Sequence, residues 1–373
     1  MKAIITLGKL ILNIIYAFHK LRPARRRITF VSRQSNEPSI DIILLREELG
    51  RRYPDVEVKV LCRMIGSGIR GKIAYILYMC GPMMKGFASS QVVVLDGYCI
   101  AASILHHKKN LKIIQMWHAM GCFKKFGYAV IGMDEGYSQK IAEAMNMHAG
   151  YDAVLISGEH CRKSMSTAFG CSPSLLQVMP LPRTDFVRKK KYTVPTAHRI
   201  FQKYPELRNK KNILYTPTFR KAGDNITPIL SLIECMDYEH YNLIIKPHPL
   251  MTEVIPSKYA IVDHAFSSLE MLSVADYVIS DYSAFILEAA LASCPVYLFI
   301  PDEENYQRAR GFFDDVTVES HGFRSGNPTE IMEAIKGNRT KIDDMQRFAE
   351  KYTDINEDCT GTIAQYLVNC FTK

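Results

Sequence analysis

Two histidines follow closely on apolar runs that predict buried β-strands. His118 comes after the strand predicted at 111–116, and His248 comes after the strand predicted at 243–246. Because the ordinary pKa of an imidazole lies near operating pH, a histidine at the end of a strand can act as a general base. Both histidines have lysines nearby, whose charge can balance an anionic substrate. The pattern favours acid–base chemistry on a phosphorylated molecule, although a lone histidine at a strand end is more often structural.

A second group of polar residues, Asp281 and Ser283, separates a predicted strand at 277–280 from a predicted helix at 284–292. A strand that turns sharply into a helix directs several backbone N–H groups at one point, and this can form a site for phosphate. Ser283 is predicted to be the N-cap of the helix. An ordinary strand–helix unit with a capped helix is equally compatible with this stretch.

The elements that must position these residues alternate between strands and helices. Strands are predicted at 27–33, 56–62, 91–95, 111–116, 153–157 and 176–179, and then at 212–215, 243–246, 260–262, 277–280 and 295–300. Such alternation predicts parallel sheets covered by helices on both faces, with ligands at the carboxyl ends of the strands. The basic stretch 188–203 is predicted to be a linker rather than a loop within one domain. The predicted α/β protein therefore has Rossmann-like domains at 28–187 and 204–373.

Residues 1–27 combine an apolar segment with a basic cluster. The segment 3–18 is apolar apart from Thr6, Lys9 and Asn13, which would form a narrow polar stripe on a helix. It is too short and too interrupted for a transmembrane helix, and basic residues stand where a signal peptide would have its cleavage site. We predict an amphipathic helix at the surface of an anionic membrane. The alternative is a first helix packed on the core.

Composition narrows the class of partner. The chain has 373 residues and a net charge of +9, which favours an anionic partner unless the charge serves only solubility. The ten cysteines are scattered without a CxxC pair, which is typical of reduced thiols in the cytosol. No carboxylate cluster calls for a metal, and we expect neither metal nor cofactor.

Several classes of protein lack their motif here. The sequence has no GxxxxGK[ST], GxSxG or HExxH motif, and no GxGxxG follows the first strand. These absences argue against a P-loop ATPase, a serine hydrolase, a zinc protease and a nicotinamide dinucleotide enzyme. The basic residues are not interleaved with aromatic residues, so we expect no nucleic-acid partner.

Short motifs follow one another along the chain: Trp117-His118-Ala119-Met120-Gly121 with Lys124-Lys125, Pro180-Leu181-Pro182-Arg183-Thr184-Asp185, Pro217-Thr218-Phe219-Arg220, Lys246-Pro247-His248-Pro249, Ser280-Asp281-Tyr282-Ser283-Ala284 with Glu288, and Asp302, Tyr306 and Arg310-Gly311-Phe312. Together they resemble the CDP-glycerol glycerophosphotransferase family of teichoic acid and capsule synthesis, the TagB/TagF-like enzymes. The resemblance covers nearly the whole chain. It implies a GT-B fold, in which two Rossmann-like domains face each other across a central cleft.

The resemblance also implies a reaction. An alditol phosphate, with glycerol phosphate favoured over ribitol phosphate, would pass from a CDP-alditol to a hydroxyl of a lipid-linked glycan acceptor, releasing CMP. His118 would be the base, and His248 would bind the diphosphate or assist the departing CMP. The residues implied to bind the CDP-alditol are Thr218, Arg220, Lys246, Asp281, Ser283, Ala284, Glu288 and Arg310. Those implied for the acceptor side are Lys124, Lys125 and Arg183.

The implied enzyme works at the cytoplasmic face of the cell membrane as a peripheral protein. The family's Gly-Thr-Pro after the histidine is replaced by Ala119-Met120-Gly121, which leaves the acceptor and the alditol open. A primase is favoured over a polymerase because the chain carries no long extra domain. Two alternatives remain from the sequence. One is a GT-B glycosyltransferase with a nucleotide-sugar donor, and the other is a non-catalytic membrane-binding protein.

Overall fold

The computed structural model describes residues 2–133, 136, 138–220, 223–251, 253–303 and 311–371. Within these residues the chain divides into two compact units. The first unit contains residues up to 118, 125–182 and those from 354 onward, and the second contains 119–124 and 183–353. Each unit is built on one parallel sheet with helices around it, as the alternating pattern predicts.

In the described part of the first unit, six parallel strands pair in the order β2-β1-β3-β4-β5-β6. They are β1 (Arg25–Ser32), β2 (Glu57–Cys62), β3 (Ser90–Leu95), β4 (Lys112–Gln115), β5 (Ala153–Ile156) and β6 (Leu176–Val178). The central strands β3, β4 and β5 are mostly apolar and buried because helices cover both faces of the sheet. Val92, Val93 and Val154 are fully buried, for example. His118 follows the carboxyl end of β4.

In the described part of the second unit, six parallel strands pair in the order β12-β11-β10-β7-β8-β9. They are β7 (Lys211–Tyr215), β8 (Tyr241–Ile245), β9 (Ile261–Val262), β10 (Tyr277–Ser280), β11 (Val296–Phe299) and β12 (Phe323–Ser325). Ile213, Leu243 and Ile279 form part of the buried core between the sheet and its helices. The predicted positions at 218, 246 and 281 follow the carboxyl ends of β7, β8 and β10.

The helices that surround the first sheet are Lys2–Lys20, Ile40–Arg52, Gly68–Tyr78, Met84–Ser89, Ile100–Ile104, Gln139–Ala144, Arg162–Phe169 and Cys359–Asn369. A π-helical turn, Met79–Met83, joins two of them. Among its described residues, the second unit has the α-helices Arg183–Arg188, Lys190–Lys203, Thr227–Cys235, Ser268–Met271, Phe285–Leu291, Val316–Glu319, Pro328–Lys336 and Ile342–Tyr352.

Two parts of this division differ from the predicted domain boundaries. The stretch predicted as a linker, 188–203, is mostly the helix Lys190–Lys203, whose Ile200 is fully buried in the second unit. The last helix, Cys359–Asn369, packs in the first unit against Ile40–Arg52 rather than in the domain predicted at 204–373. An ion pair between Arg52 and Asp358 (2.5 Å) joins the two helices.

The N-terminal helix, Lys2–Lys20, turns polar residues toward the protein. The Asn13 amide donates to Ile104 O (3.0 Å) and accepts from His106 N (2.7 Å), while the fully buried Tyr16 bonds through its hydroxyl to His107 Nδ1 (3.0 Å). The large apolar residues exposed from this helix and the residue after it are Ile4, Leu7, Leu10, Ile11, Ile14, Phe18 and Leu21. This helix therefore carries its apolar face outward, the reverse of an ordinary surface helix.

Candidate active site

The backbone before His118 is held in an unusual conformation. Trp117 has a φ of +64°, a region that a bulky side chain rarely adopts. Its N–H donates to Gln115 Oε1 (2.9 Å), and the Gln115 amide also donates to Gly97 O (3.1 Å). The indole ring stacks on Phe126 at 4.4 Å between centroids. Because these contacts fix Trp117, they also fix the direction in which the next residue leaves β4.

The hydrogen bonds of His118 select one form of its neutral ring. Nδ1 lies 2.7 Å from Asp96 O, and a backbone carbonyl oxygen can only accept. The hydrogen of the neutral imidazole is therefore on Nδ1, and the lone pair is on Nε2. A half-buried histidine in this form is arranged to take a proton at Nε2.

In the second unit, Asp281 joins the ends of β7 and β10. This buried carboxylate accepts from Thr218 N (2.9 Å) and Thr218 Oγ1 (2.5 Å), and also from Tyr282 N (2.7 Å). Arg220 Nη1 lies 2.8 Å from the same carboxylate. The predicted neighbours Thr218, Arg220 and Asp281 are therefore brought together, with the carboxylate at their centre.

Asp302, to which the sequence assigned no role, completes this cluster. Arg220 donates to it through both Nε (2.8 Å) and Nη2 (3.0 Å), the geometry of a bidentate pair. Burial alone would lower the pKa of Arg220, but the bonds to Asp302 and Asp281 outweigh burial and raise it. The same contacts hold the pKa of Asp302 below its ordinary value, although burial opposes them. Arg220 thus already has two carboxylate partners.

His248 is held in the form opposite to that of His118. Its Nδ1 accepts from Leu250 N (3.2 Å), so the hydrogen of the neutral ring is on Nε2. The ring stacks on Phe219 at 5.6 Å between centroids. Burial and the nearby charge of Lys124 lower the pKa of His248, with Asp281 acting in the opposite direction. At neutral pH the ring is therefore a neutral hydrogen-bond donor at Nε2.

Lys124, predicted for the acceptor side, belongs to the second unit. The segment 119–124 is fixed there by Phe123, whose carbonyl accepts from Phe313 N (2.7 Å) and whose ring lies 4.7 Å from that of Tyr352. Lys124 Nζ lies 3.5 Å from Thr218 Oγ1. The second lysine of the motif, Lys125, is half-buried in the first unit.

Lys246 is bound by its own unit. Its Nζ donates to Asp263 O (2.8 Å), to Asp263 Oδ2 (2.7 Å) and to Phe266 O (2.5 Å). Asp263 is fully buried and also accepts from Tyr204 Oη (2.7 Å). Three acceptors match the three hydrogens of an ammonium group, so this lysine fixes the loop that follows β9.

Arg183 and Glu288, predicted for different substrates, form a buried ion pair. Arg183 Nη1 lies 3.0 Å from Glu288 Oε1, and the two side chains are 12% and 3% exposed. The pair connects the helix Arg183–Arg188 to the helix Phe285–Leu291. A pair this deep holds the second helix in place beneath the turn at 281–284.

The turn before that helix differs in detail from the prediction. The N-cap is Ala284 rather than Ser283, while Ser283 Oγ accepts from Phe285 N (3.2 Å). Both residues are half-buried at the end of β10. Arg310 lies outside the described residues. Among the described residues, no group of three or more histidine, cysteine, aspartate or glutamate side chains is placed to hold a metal ion.

The profile of the family described as CDP-glycerol:poly(glycerophosphate) glycerophosphotransferase matches residues 14–370. The chain belongs to this family. Within it, the chain is 30% identical over 274 residues to a teichoic acid ribitol-phosphate primase of Bacillus spizizenii, covering 70% of each protein. It is 28% identical over 291 residues to a teichoic acid glycerol-phosphate primase of Bacillus subtilis, covering 75% of this chain and 73% of that protein. The family predicted from the motifs is confirmed.

A longer relative and two solved structures complete the comparison. A teichoic acid poly(ribitol-phosphate) polymerase of B. spizizenii is 28% identical over 369 residues, which is 95% of this chain but 57% of that protein. The wall teichoic acid polymerase TagF superposes with a TM-score of 0.76 at 16% identity, covering 99% of this chain and 96% of that chain. A UDP-GlcNAc 2-epimerase from Neisseria meningitidis superposes at 0.58 with 14% identity, covering 92% of this chain and 99% of that chain. These likenesses confirm an α/β fold with two Rossmann-like domains.

Proposed function

We propose that this chain transfers an alditol phosphate from a CDP-alditol to a hydroxyl of a membrane lipid-linked acceptor in teichoic acid synthesis, releasing CMP. The family and the primases and polymerases related to it support CDP-alditol phosphate transfer as the reaction class. One observation supports the proposed roles most strongly. Two histidines stand at the carboxyl edges of two sheets, and backbone groups bind Nδ1 of each ring, so that Nε2 carries the lone pair in His118 and the hydrogen in His248.

His118 acts on the acceptor. Its Nε2 takes the proton of the acceptor hydroxyl as the oxygen attacks the phosphorus of the alditol phosphate. A new P–O bond forms to the acceptor, and the P–O bond to CMP breaks, so that CMP leaves with the bonding electrons. Asp96 O holds the Nδ1–H throughout and thereby favours the imidazolium that results.

His248 acts on the donor. Its Nε2–H donates a hydrogen bond to the diphosphate, and the nearby ammonium of Lys124 balances part of the phosphate charge. Phosphoryl transfer depends mainly on positioning and charge balance, which suits fixed donors of this kind. The Ser283 hydroxyl and Ala284 N–H contribute further donors at the end of β10, whereas the N–H groups of Phe285 and Ile286 already donate to Ser283.

Three of the predicted substrate-binding cations have positioning roles in this proposal. Arg220 orients Asp281 and the loop after β7 because two carboxylates already bind its guanidinium. Lys246 orients the loop after β9, and Arg183 holds Glu288 and its helix. Thr218 and Asp281 are held by these contacts close to the donor site.

Membrane attachment is supported by the outward apolar face of the N-terminal helix. A second helix in the same unit, Gly68–Tyr78, exposes Ile69, Ile73, Ile76 and Leu77 by more than half of each side chain. Basic residues lie beside both surfaces, which suits an anionic membrane. In the described part of the chain, no helix has both the length and the apolar character needed to span a bilayer. We propose peripheral attachment at the cytoplasmic face.

Point substitutions test membrane attachment more cleanly than deletion, because deleting residues 1–27 would remove the first part of β1 and the buried Tyr16. Leu7→Glu combined with Ile14→Glu should abolish sedimentation with liposomes that contain anionic lipid. Val254→Glu, at an exposed apolar position of the second unit, is the matched control and should still sediment. Unchanged sedimentation of the double variant would contradict attachment through this helix.

Release of CMP tests the function itself. A solved structure of TagF with the same fold was obtained after soaking with CDPG, which supports CDP-glycerol as the first donor to try. The purified chain should release CMP from CDP-glycerol or CDP-ribitol when a lipid-linked disaccharide or a primed acceptor is present. Addition of one or a few units would identify a primase, and long products would identify a polymerase. Release of UDP or GDP from a nucleotide sugar would favour the glycosyltransferase alternative instead.

A further inference from the structure

Gln34, which follows the carboxyl end of β1, has its side chain beside the ring of His118. Its amide nitrogen position lies 3.3 Å from His118 Nδ1, the same atom that lies 2.7 Å from Asp96 O. The side chain of Gln34 is exposed, so burial alone does not fix it there. No sequence motif singled out this residue.

The hydrogen on Nδ1 decides how the Gln34 amide must be oriented. Asp96 O can only accept, so Nδ1 carries a hydrogen and cannot accept from an NH₂ group. The oxygen and nitrogen of a glutamine amide are assigned from their hydrogen-bond partners. With the amide rotated by half a turn, its oxygen faces Nδ1–H and accepts a second, weaker component of a three-centre bond.

Two neighbouring residues define the place of this amide. A Cβ on Gly97 would lie 2.8 Å from the Gln34 amide nitrogen position, so a side chain at position 97 would displace the Gln34 amide from this place. Gly97 O in turn accepts from the buried amide of Gln115, which also holds Trp117 N. The surface on which Gln34 rests is therefore the same frame that fixes His118.

We propose that Gln34 is a positioning residue for His118, whose amide oxygen accepts from Nδ1–H and favours the imidazolium formed during transfer. This inference rests on the proposed function, in which His118 is the base. Gln34 acts only through His118 in this scheme, and it takes no proton itself.

Paired substitutions separate this role from a purely structural one. Gln34→Met removes the acceptor at similar length, and kcat for CMP release should fall about tenfold with the KM for the CDP-alditol unchanged. Gln34→Glu keeps an acceptor and adds a negative charge next to the ring. It should retain more activity than Gln34→Met, and the acidic limb of its pH–rate profile should move to higher pH. The carboxylate of Asp96 is present in every variant, so its effect on His118 does not contribute to the difference between their pH–rate profiles.

The controls are Gln177→Met and Gln177→Glu in the edge strand β6, which make the same chemical changes away from His118. They should leave kcat for CMP release and the pH–rate profile unchanged.

Nitrogen-15 NMR of the histidine rings gives a readout independent of turnover. It should show Nδ1–H in wild-type His118, and a titration moved to higher pH in Gln34→Glu. Unchanged rates and titration in both Gln34 variants, or an Nε2–H ring in wild type, would overturn the inference. Absence of CMP release by wild type would instead refute the proposed function.

Discussion

The carboxyl edges of the two sheets differ in how they hold their histidines. The edge in the first unit uses neutral groups: the amides of Gln115 and Gln34, the carbonyl of Asp96 and the aromatic stack on Trp117. The edge in the second unit uses charge, in the pairs Arg220–Asp281, Arg220–Asp302, Lys246–Asp263 and Arg183–Glu288. The same sheet architecture therefore supports two electrostatic environments.

The difference matches the two substrates of the proposed reaction. An acceptor hydroxyl is neutral, so its base needs hydrogen-bond acceptors that favour the imidazolium rather than charges that hold a substrate. A diphosphate is anionic, and it needs a rigid loop framework that does not collapse around it. Because the cations Arg220, Lys246 and Arg183 already contact carboxylates, they make the second edge rigid more than they make it positive.

Replacement of the two histidines should have the largest effect and should separate the two edges. His118→Ala removes the base, and kcat for CMP release should fall by about 10³ while CDP-glycerol still binds with the wild-type Kd. His248→Ala should weaken CDP-glycerol binding as well, because it removes a donor to the diphosphate. Rapid-quench assays and calorimetric titration measure the two quantities.

His160→Ala provides the control, since His160 is an exposed histidine of the first unit. It should leave kcat for CMP release and the Kd for CDP-glycerol unchanged. Wild-type turnover by His118→Ala would mean that the histidine of the first sheet does not act as the base, even though the two edges differ in structure.

Loss of a buried carboxylate should have the next largest effect. Asp281→Ala leaves Thr218 and Tyr282 without their acceptor and Arg220 with one carboxylate fewer, so the free energy of unfolding should fall by about 3 kcal/mol. Glu303→Ala breaks the exposed pair with Arg324 and should cost less than about 1 kcal/mol. Urea denaturation measures the free energy of unfolding of each variant. Equal losses in the two variants would mean that the charged network at this edge does not stabilise the second unit.

The smallest effect tests the link between Lys124 and His248. Lys124→Met removes a nearby positive charge, so the pKa of His248 should rise toward its ordinary value, as measured by NMR titration. In wild type the folded pKa lies below the unfolded value near 6.5, so the unfolded state binds the proton first as pH falls. The contribution of His248 to the free energy of unfolding therefore falls below about pH 6.5, and in the variant this fall should be smaller. Lys125→Met is the control, and an equal rise there would contradict the placement of Lys124.

Local patterns were enough to predict the sheets and the strand ends. Apolar runs bounded by polar residues predicted β10 at Tyr277–Ser280 without error, and placed β3 and β7 within one residue. Since parallel strands bring their carboxyl ends to one edge, grouping Thr218 and Arg220 with Asp281 followed from the strand assignments alone. Family membership followed from motif order.

Contacts between distant parts of the chain could not be predicted in this way. Asp302 lies 82 positions from Arg220, and Glu288 lies 105 positions from Arg183. The place of Lys124 in the second unit depends on Phe123 packing against Tyr352, a contact that a strand-by-strand prediction does not supply. Ring tautomers depend on the partner of a single nitrogen atom, and sequence periodicity carries no information about it.

The N-terminal helix has a practical consequence for anyone who handles this protein. Its asparagine and tyrosine face the protein, and its leucine, isoleucine and phenylalanine side chains face outward. The helix therefore exposes an apolar surface that can pack against another apolar surface. In plain buffer, copies of the chain would associate with each other through this exposed apolar surface. Mild detergent or nanodiscs should therefore keep preparations monodisperse, where dilution alone would not.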